Sequence, residues 1–256
     1  MAKDIIKSGS TPLSSFEEFE KYVNSLNDNG NLLDKPADLY IKLPALLRTL
    51  TNIEPTGIAS ALAQLLEENK VKREQRNVLL AMFELAKVLS QCGHRIEQLE
   101  KSYLSTEFPK LTIMYFEHSK QTFDVSKIHL FRNIWVNGLL ANERSSSEKS
   151  IIFNIIQSLS EDEINALRFI YDASKDSEAR KTAHIHVDEV AKSLDIEPSY
   201  AQQLCVRLRA QGLIGESSTG WTIGSGPPVT FMLMDFTNTV IEYIRDFSQE
   251  QPHNTP

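Results

Sequence analysis

The residues with the clearest capacity for chemistry lie between positions 197 and 214, in the stretch EPSYAQQLCVRLRAQGLI. A proline near its beginning and a glycine near its end are typical of the start and stop of a helix. Glutamine can form two hydrogen bonds with adenine, serine can reach a base or a phosphate, and arginine can bind the DNA backbone. The candidate DNA contacts are Ser199, Tyr200, Gln202, Gln203, Arg207 and Arg209, with Lys192 on the preceding segment.

The charge of the same region opposes DNA binding. Residues 160–247 contain eight Lys and Arg against fourteen Asp and Glu, a net charge of −6, in a chain of 256 residues whose net charge is −7. Phosphate contacts supply much of the affinity for DNA, and an acidic surface repels phosphate. Glu197 also lies at the helix end that should approach the phosphates. A dimer could still gather positive charge from Arg180, Lys181, Arg207 and Arg209.

Other residue patterns indicate neither catalysis nor metal binding. His184 and His186 would share one face of a strand near Asp188, but no Cys or further His lies close in sequence, and we interpret them as strand-edge histidines. Cys92 and Cys205 are far apart and are interpreted as reduced thiols. The sequence motifs of nucleophilic hydrolases, P-loops and dinucleotide sites are absent. We therefore predict no enzyme activity, no cofactor, no metal and no small-molecule substrate.

A long helix over residues 57–104 is the main predicted element. In its second half, eight residues separated alternately by four and three positions form one seam. The flanking positions begin apolar, and so wide a stripe favours packing in a helical bundle over a two-stranded coiled coil. The predicted oligomer or bundle seam is Val78, Met82, Leu85, Leu89, Cys92, Ile96, Leu99 and Tyr103.

The long helix belongs to a predicted helical domain over residues 15–158. Pro109 is expected in the first turn of the helix that follows it. The other predicted segments are a flexible arm over 1–14, helices over 106–121 and 124–142, and a polar loop over 143–150.

A basic cluster lies in the middle of the long helix and consists of Lys70, Lys72, Arg73 and Arg76. Such a cluster can contact an anionic surface such as lipid headgroups or nucleic acid. The nearby Glu67, Glu68 and Glu74 favour a solvated helix face instead. The same glutamates argue against contact with a membrane surface. Because the chain has neither a signal peptide nor 18 consecutive apolar residues, we expect a cytoplasmic protein without a membrane-spanning helix.

Residues 159–247 follow the element order of a winged helix-turn-helix domain. Ser160 and Glu163 form a capping box ahead of its first helix. The predicted wing turns at residues 218–220 and carries no Lys or Arg. The predicted segments are a strand over 184–187, helices over 188–196 and 198–212, the wing over 213–224, a closing helix within 229–247 and a disordered tail over 248–256.

The whole chain resembles an uncharacterised bacterial group in which an amphipathic helical region precedes a C-terminal winged-helix-like domain. The resemblance rests on KVKREQRNVLLAMFELAKVL (70–89), KIHLFRNIWVNGLL (127–140) and LSEDEINALRFIY (159–171). Some members of the group carry a Gly-rich apolar stretch before the basic helix. Here the equivalent stretch, 57–66, is short and is followed by two glutamates, which argues against a membrane role. The resemblance implies a bacterial intracellular setting and no particular activity.

The sequence thus predicts a mainly α fold: an N-terminal helical bundle with one long helix, and a small C-terminal winged-helix-like α+β domain. The predicted function is non-enzymatic, with self-association or partner binding by the helices and protein docking by the winged domain. One alternative is a winged-helix transcription regulator. A further alternative is a defence or stress effector that contacts membranes through residues 57–76, which would require Ile58, Leu62 and Leu65 to be exposed.

Overall fold

The computed structural model describes residues 72–141, 144–176, 185–217 and 230–246. These residues are mostly helical, with one small antiparallel sheet of three strands. The chain divides into two compact units, residues 1–153 with 246–256, and residues 154–245. Several predictions lie outside the described residues: the arm over 1–14, the first part of the long helix with Lys70, His184, the wing turn at 218–220 and the tail over 248–256.

The first unit is built on three helices, each of which contacts the other two. They are α1 (Lys72–Glu97), α2 (Lys101–Gln121) and α3 (Ser126–Leu140), and α4 (Ser146–Ser158) follows them. Large aromatic side chains fill their core. Trp135 is fully buried, its indole N–H donates to Thr112 Oγ1 at 3.1 Å, and its ring meets Phe108 edge-to-face at 5.4 Å.

The predicted seam lies in the core of a single copy of the chain. Its first six residues are at most 2% exposed: Val78, Met82, Leu85, Leu89, Cys92 and Ile96. Leu99 and Tyr103 are only half-buried, because α1 ends at Glu97 and α2 begins at Lys101. One continuous helix through residue 104 was therefore a wrong prediction. The 4,3 spacing continues across the break, and the break contains no proline or glycine to reveal it.

The beginnings of α2 and α4 also differ from the predictions. Pro109 lies in the interior of α2 rather than in its first turn. A proline there removes one helical hydrogen bond. Leu104 and Phe108, which share one face of α2, are both buried, and their burial offsets this cost. The predicted polar loop contains the first turns of α4, where Ser145 Oγ accepts the Glu148 N–H at 3.2 Å. Ser145 and Glu148 have capping-box spacing, a signal that the sequence interpretation missed.

The second unit surrounds its small sheet with helices. Its helices are α5 (Glu161–Asp176), α6 (Val187–Leu194), α7 (Pro198–Ala210) and α8 (Asp235–Ile244), and its strands are β1 (Ile185–His186), β2 (Ile214–Ser217) and β3 (Thr230–Leu233). β3 is the central strand and pairs antiparallel with both neighbours. Its register is defined at buried Phe231, which pairs with Ile185 of β1 on one side and with Glu216 of β2 on the other. The sequence analysis placed both strands of the wing within 213–224, which was wrong for the second strand: the described partner of β2 is β3, which begins at Thr230.

Two helix ends in the second unit use left-handed backbone. Gly212, after α7, has φ +71°, and Asp195, after α6, has φ 54°. We expect Gly212→Ala to lower the free energy of unfolding by about 1–2 kcal/mol, because a side chain disfavours this conformation even where space is open. Asp195→Gly is the matched control and should be neutral or slightly stabilising. Urea unfolding of both variants checks this, and an unchanged stability for Gly212→Ala would contradict the left-handed assignment.

A buried polar cluster joins α1 to α3 in the first unit. Glu84 Oε2 accepts hydrogen bonds from Arg132 Nη1 at 2.7 Å and from His129 Nδ1 at 3.1 Å. The side chains of Glu84 and Arg132 are each 10% exposed. Burial alone raises the pKa of Glu84, but the hydrogen bonds and charges of His129 and Arg132 outweigh it, so the pKa lies below its ordinary value of 4.5.

The lowered pKa of Glu84 predicts acid sensitivity of the fold. A carboxyl whose pKa is lower in the folded chain stabilises the fold above its unfolded pKa, and this contribution is lost as pH falls through the folded pKa. The free energy of unfolding should therefore fall as the pH is lowered from about 5 through the acid range. Urea unfolding across this range checks the expectation. Glu84→Gln should give a shallower dependence, and an identical dependence in the variant would contradict it.

Candidate functional site

Helix α7 carries most of the candidate contacts and has two distinct faces. Its N–terminal turn begins with Pro198, whose fixed φ suits the first helical position. The inward face holds Ala201, Leu204, Cys205 and Leu208, all buried. Because the buried residues recur at helical spacing, the positions between them face away from the core. The exposed residues of this outward face are Ser199, Tyr200, Gln202, Gln203, Val206, Arg207, Arg209 and Ala210.

Tyr200 has an internal partner on α5. Its hydroxyl donates to Asp162 Oδ2 at 2.7 Å, although the side chain is at the surface. The hydrogen bond to Asp162 raises the pKa of Tyr200, since the carboxylate stabilises the protonated phenol. Tyr200 therefore joins the beginning of α7 to the acidic first turn of α5, and this bond would compete with a DNA contact.

Arg207 is paired with a buried carboxylate. Its Nε lies 2.7 Å from Glu163 Oε1, and Glu163 is 1% exposed while Arg207 is 63% exposed. The other carboxylate oxygen accepts the Ser160 N–H at 2.5 Å, and Ser160 Oγ accepts the Glu163 N–H at 3.2 Å. This arrangement confirms the predicted capping box. It also gives Arg207 a structural task, the neutralisation of a buried charge.

The remaining basic candidates differ in their surroundings. Arg209 forms an ion pair with Glu216 of β2, and both side chains are nearly half exposed. Lys192 is exposed in the last turn of α6. Both arginines of α7 thus have carboxylate partners within the unit, so their charge is largely balanced before any phosphate approaches.

Val206 is a member of the outward face that the sequence interpretation missed. It is 46% exposed and lies one helical turn beyond Gln202 and Gln203. Its spacing from those residues is the signal that could have identified it. With Ser199, these residues form an uncharged strip that we name the α7 strip, defined as Ser199, Gln202, Gln203 and Val206.

The described residues include only part of the metal and membrane alternatives, because residues 57–71 and His184 lie outside them. No group of three His, Cys, Asp or Glu side chains among them could hold a metal ion, and the His186 N–H donates to Glu189 Oε1 at 3.4 Å. In the basic cluster, the Arg73 guanidinium stacks on Phe123 at 3.9 Å and Arg76 is exposed. Within the described part of the chain, no helix is long and apolar enough to cross a membrane.

Comparison with known proteins adds no relative. No protein-family model, curated protein or solved structure matches this chain. Function must therefore be argued from the geometry of α7 and its neighbours.

Proposed function

We propose that this chain is a non-enzymatic bacterial protein whose C-terminal unit is a winged-helix module that docks a protein partner through the α7 strip. The N-terminal helices serve self-association or partner binding. The order helix, strand, helix, helix, strand, strand supports the winged-helix assignment, as does the sheet order β1–β3–β2. In this arrangement α7 corresponds to the recognition helix.

The ion pairs of α7 are the observation that favours a protein partner over DNA. Arg207 and Arg209, the two basic residues of this helix, are held by Glu163 and Glu216. The α7 strip between them is uncharged and contains an exposed valine. A surface that binds DNA presents unpaired positive charge to phosphate, whereas protein interfaces have apolar centres depleted in charge. The α7 strip fits the second description.

DNA recognition remains a second candidate because of one observation. Gln202 and Gln203 are both exposed near the beginning of α7, with Lys192 exposed on the preceding helix. Glutamines at this position of a recognition helix can read adenine. For this candidate, the missing positive charge would have to come from a second copy of the chain.

Site-specific photo-cross-linking in living cells tests the proposal. A photoreactive amino acid at Val206 should give a discrete protein adduct, because this position is the exposed apolar member of the α7 strip. Asn238 of α8 is also exposed and serves as the control position, where no adduct is expected. Adding Gln202→Arg beside the probe should abolish the adduct. Cross-links from Val206 to nucleic acid, or equal adducts at both positions, would contradict protein docking.

A further inference from the structure

A group of exposed carboxylates lies at the beginning of α7. Asp195 and Glu197 precede the helix, and Glu161 and Asp162 lie in the first turn of α5. The hydrogen bond from the Tyr200 hydroxyl, at 2.7 Å, places Asp162 beside the first turn of α7. We name Glu161, Asp162, Asp195 and Glu197 the acidic end. All of them are exposed, so a partner that approaches the beginning of α7 meets their charge.

The acidic end carries more charge than the helices themselves balance. A helix N-terminus carries about half a positive charge, so those of α5 and α7 together balance about one carboxylate. Lys192, exposed in the last turn of α6, balances at most one more. Arg207 adds nothing further, because the buried Glu163 pairs with it. An excess of about two negative charges therefore faces solvent at this end of α7.

The α7 strip adjoins this charge and supplies none of its own. Arg207, on one side of the strip, pairs with Glu163 of α5, and Arg209, on the other side, pairs with Glu216 of β2. Both positive charges that border the strip are thus balanced within the unit. What remains for a partner is an uncharged helix face with the 46% exposed Val206 and, at one end, a negative potential.

This potential discriminates between the possible occupants of the α7 strip. Nucleic acid and anionic lipid surfaces bring further negative charge, and like charges brought together weaken a contact. A strongly acidic protein segment is disfavoured for the same reason. A segment with positive charge gains from the acidic end, because complementary potentials speed association and fix the register of two surfaces.

We infer that the occupant of the α7 strip is a basic segment of another protein, with Lys or Arg side chains beside a small aliphatic side chain. The cationic side chains meet the acidic end, and the aliphatic side chain packs on Val206. Gln202 and Gln203 can both donate and accept hydrogen bonds, so they suit the polar border of such a contact. This inference rests on the proposed function, protein docking at the α7 strip, and adds the chemistry of the partner.

Charge reversal at the acidic end tests the inference. The full chain with a benzophenone amino acid at Val206 is cross-linked in living cells, with and without the double change Glu161→Lys and Glu197→Lys. Neither side chain caps its helix or forms a described hydrogen bond. The protein adduct should fall about tenfold or more, since electrostatic steering changes association rates by factors of this size.

The double change Asp172→Lys and Asp235→Lys is the matched control and should leave the adduct intact. Both residues are exposed, and Asp235 lies in the first turn of α8, as Glu161 does in α5. Asp172 lies about 16 Å along α5 from Glu161. The hydrogen bond from the Met234 N–H to the Leu213 carbonyl places the beginning of α8 beyond the end of α7 rather than at its beginning.

A milder variant guards against misfolding. Glu161→Gln with Glu197→Gln removes the charges without placing cations at helix N-termini, and it should lower the adduct by a smaller factor with unchanged thermal unfolding. Mass spectrometry of the adduct reads the partner directly. The cross-linked segment should carry an excess of about two Lys and Arg over Asp and Glu, to balance the acidic end.

The outcomes separate this inference from the proposed function. An adduct of full intensity in both Glu161/Glu197 variants, or an equal loss in the control variant, would overturn the basic partner and leave protein docking standing. A cross-linked segment that is neutral or acidic would do the same. If the Val206 probe gives no protein adduct in the otherwise unaltered chain, protein docking itself fails, and the basic partner fails with it.

Discussion

Arg132→Met should lower the free energy of unfolding by about 3–5 kcal/mol, because it leaves the buried carboxylate of Glu84 without its arginine. Arg132 Nη1 donates to Glu84 at 2.7 Å, and its Nε and Nη2 donate to Asn133 Oδ1 at 3.1 and 2.8 Å. Of the two side chains that pair with Glu84, only the half-exposed His129 would remain. Urea unfolding of the variant and the wild type measures the loss.

The double variant Glu84→Met with Arg132→Met removes both charges of the buried pair. It shows whether the loss in Arg132→Met comes from leaving Glu84 as a buried charge without its partner. Replacing both members of a buried ion pair with apolar side chains of similar volume is often neutral or stabilising. We therefore expect the double variant to be more stable than Arg132→Met alone. If the losses of Glu84→Met and Arg132→Met measured separately add up to the loss of the double variant, Glu84 and Arg132 are not coupled. The cluster between α1 and α3 then does not stabilise the fold as described.

Arg207→Glu should destabilise the second unit by about 1–3 kcal/mol, because it leaves the buried carboxylate of Glu163 without its charged donor and places a second carboxylate beside it. Glu163 is 1% exposed and already accepts the Ser160 N–H. Asp162, the partner of Tyr200, adds further negative charge to the first turn of α5. Thermal and urea unfolding of the full chain, followed by a probe in the second unit, measures this loss.

Arg209→Glu is the control for this expectation. Arg207 and Arg209 lie on the same helix and each has a glutamate partner, but Glu216 is 44% exposed while Glu163 is buried. Exposed ion pairs contribute about 0–1 kcal/mol, so Arg209→Glu should cost little. Equal losses for the two variants would contradict the structural task assigned to Arg207. A loss of binding in Arg207→Glu is therefore assigned to recognition only when the variant is shown to be folded under the conditions of the binding assay.

Local signals in the sequence predicted several elements of the second unit. The Ser160–Glu163 capping box and Pro198 at the start of α7 were both confirmed, because caps depend on residues within one turn. Pairing across the sheet was harder to foresee. The central strand β3 follows a proline and glycine break, and its short apolar run continues directly into α8.

The partners of the candidate site residues were beyond sequence reasoning. Asp162 precedes Tyr200 by 38 positions, and nothing in the spacing of either residue indicates their contact. The net charge of −6 over residues 160–247 did indicate that carboxylates would surround the basic residues. It could not indicate which carboxylate pairs with which arginine, because tertiary packing of α5 and β2 against α7 decides this.

Binding of the purified protein to random-sequence duplex DNA across a salt series tests the central claim most directly. Fluorescence anisotropy from about 50 mM to about 200 mM salt would report phosphate contacts as a steep loss of affinity. Because the arginines of α7 are paired internally, we predict negligible binding even at the lowest salt. Tight, strongly salt-dependent binding that is weakened by Gln202→Ala or Gln203→Ala, in a variant of unchanged stability, would contradict this prediction. Helix α7 would then be a DNA reader.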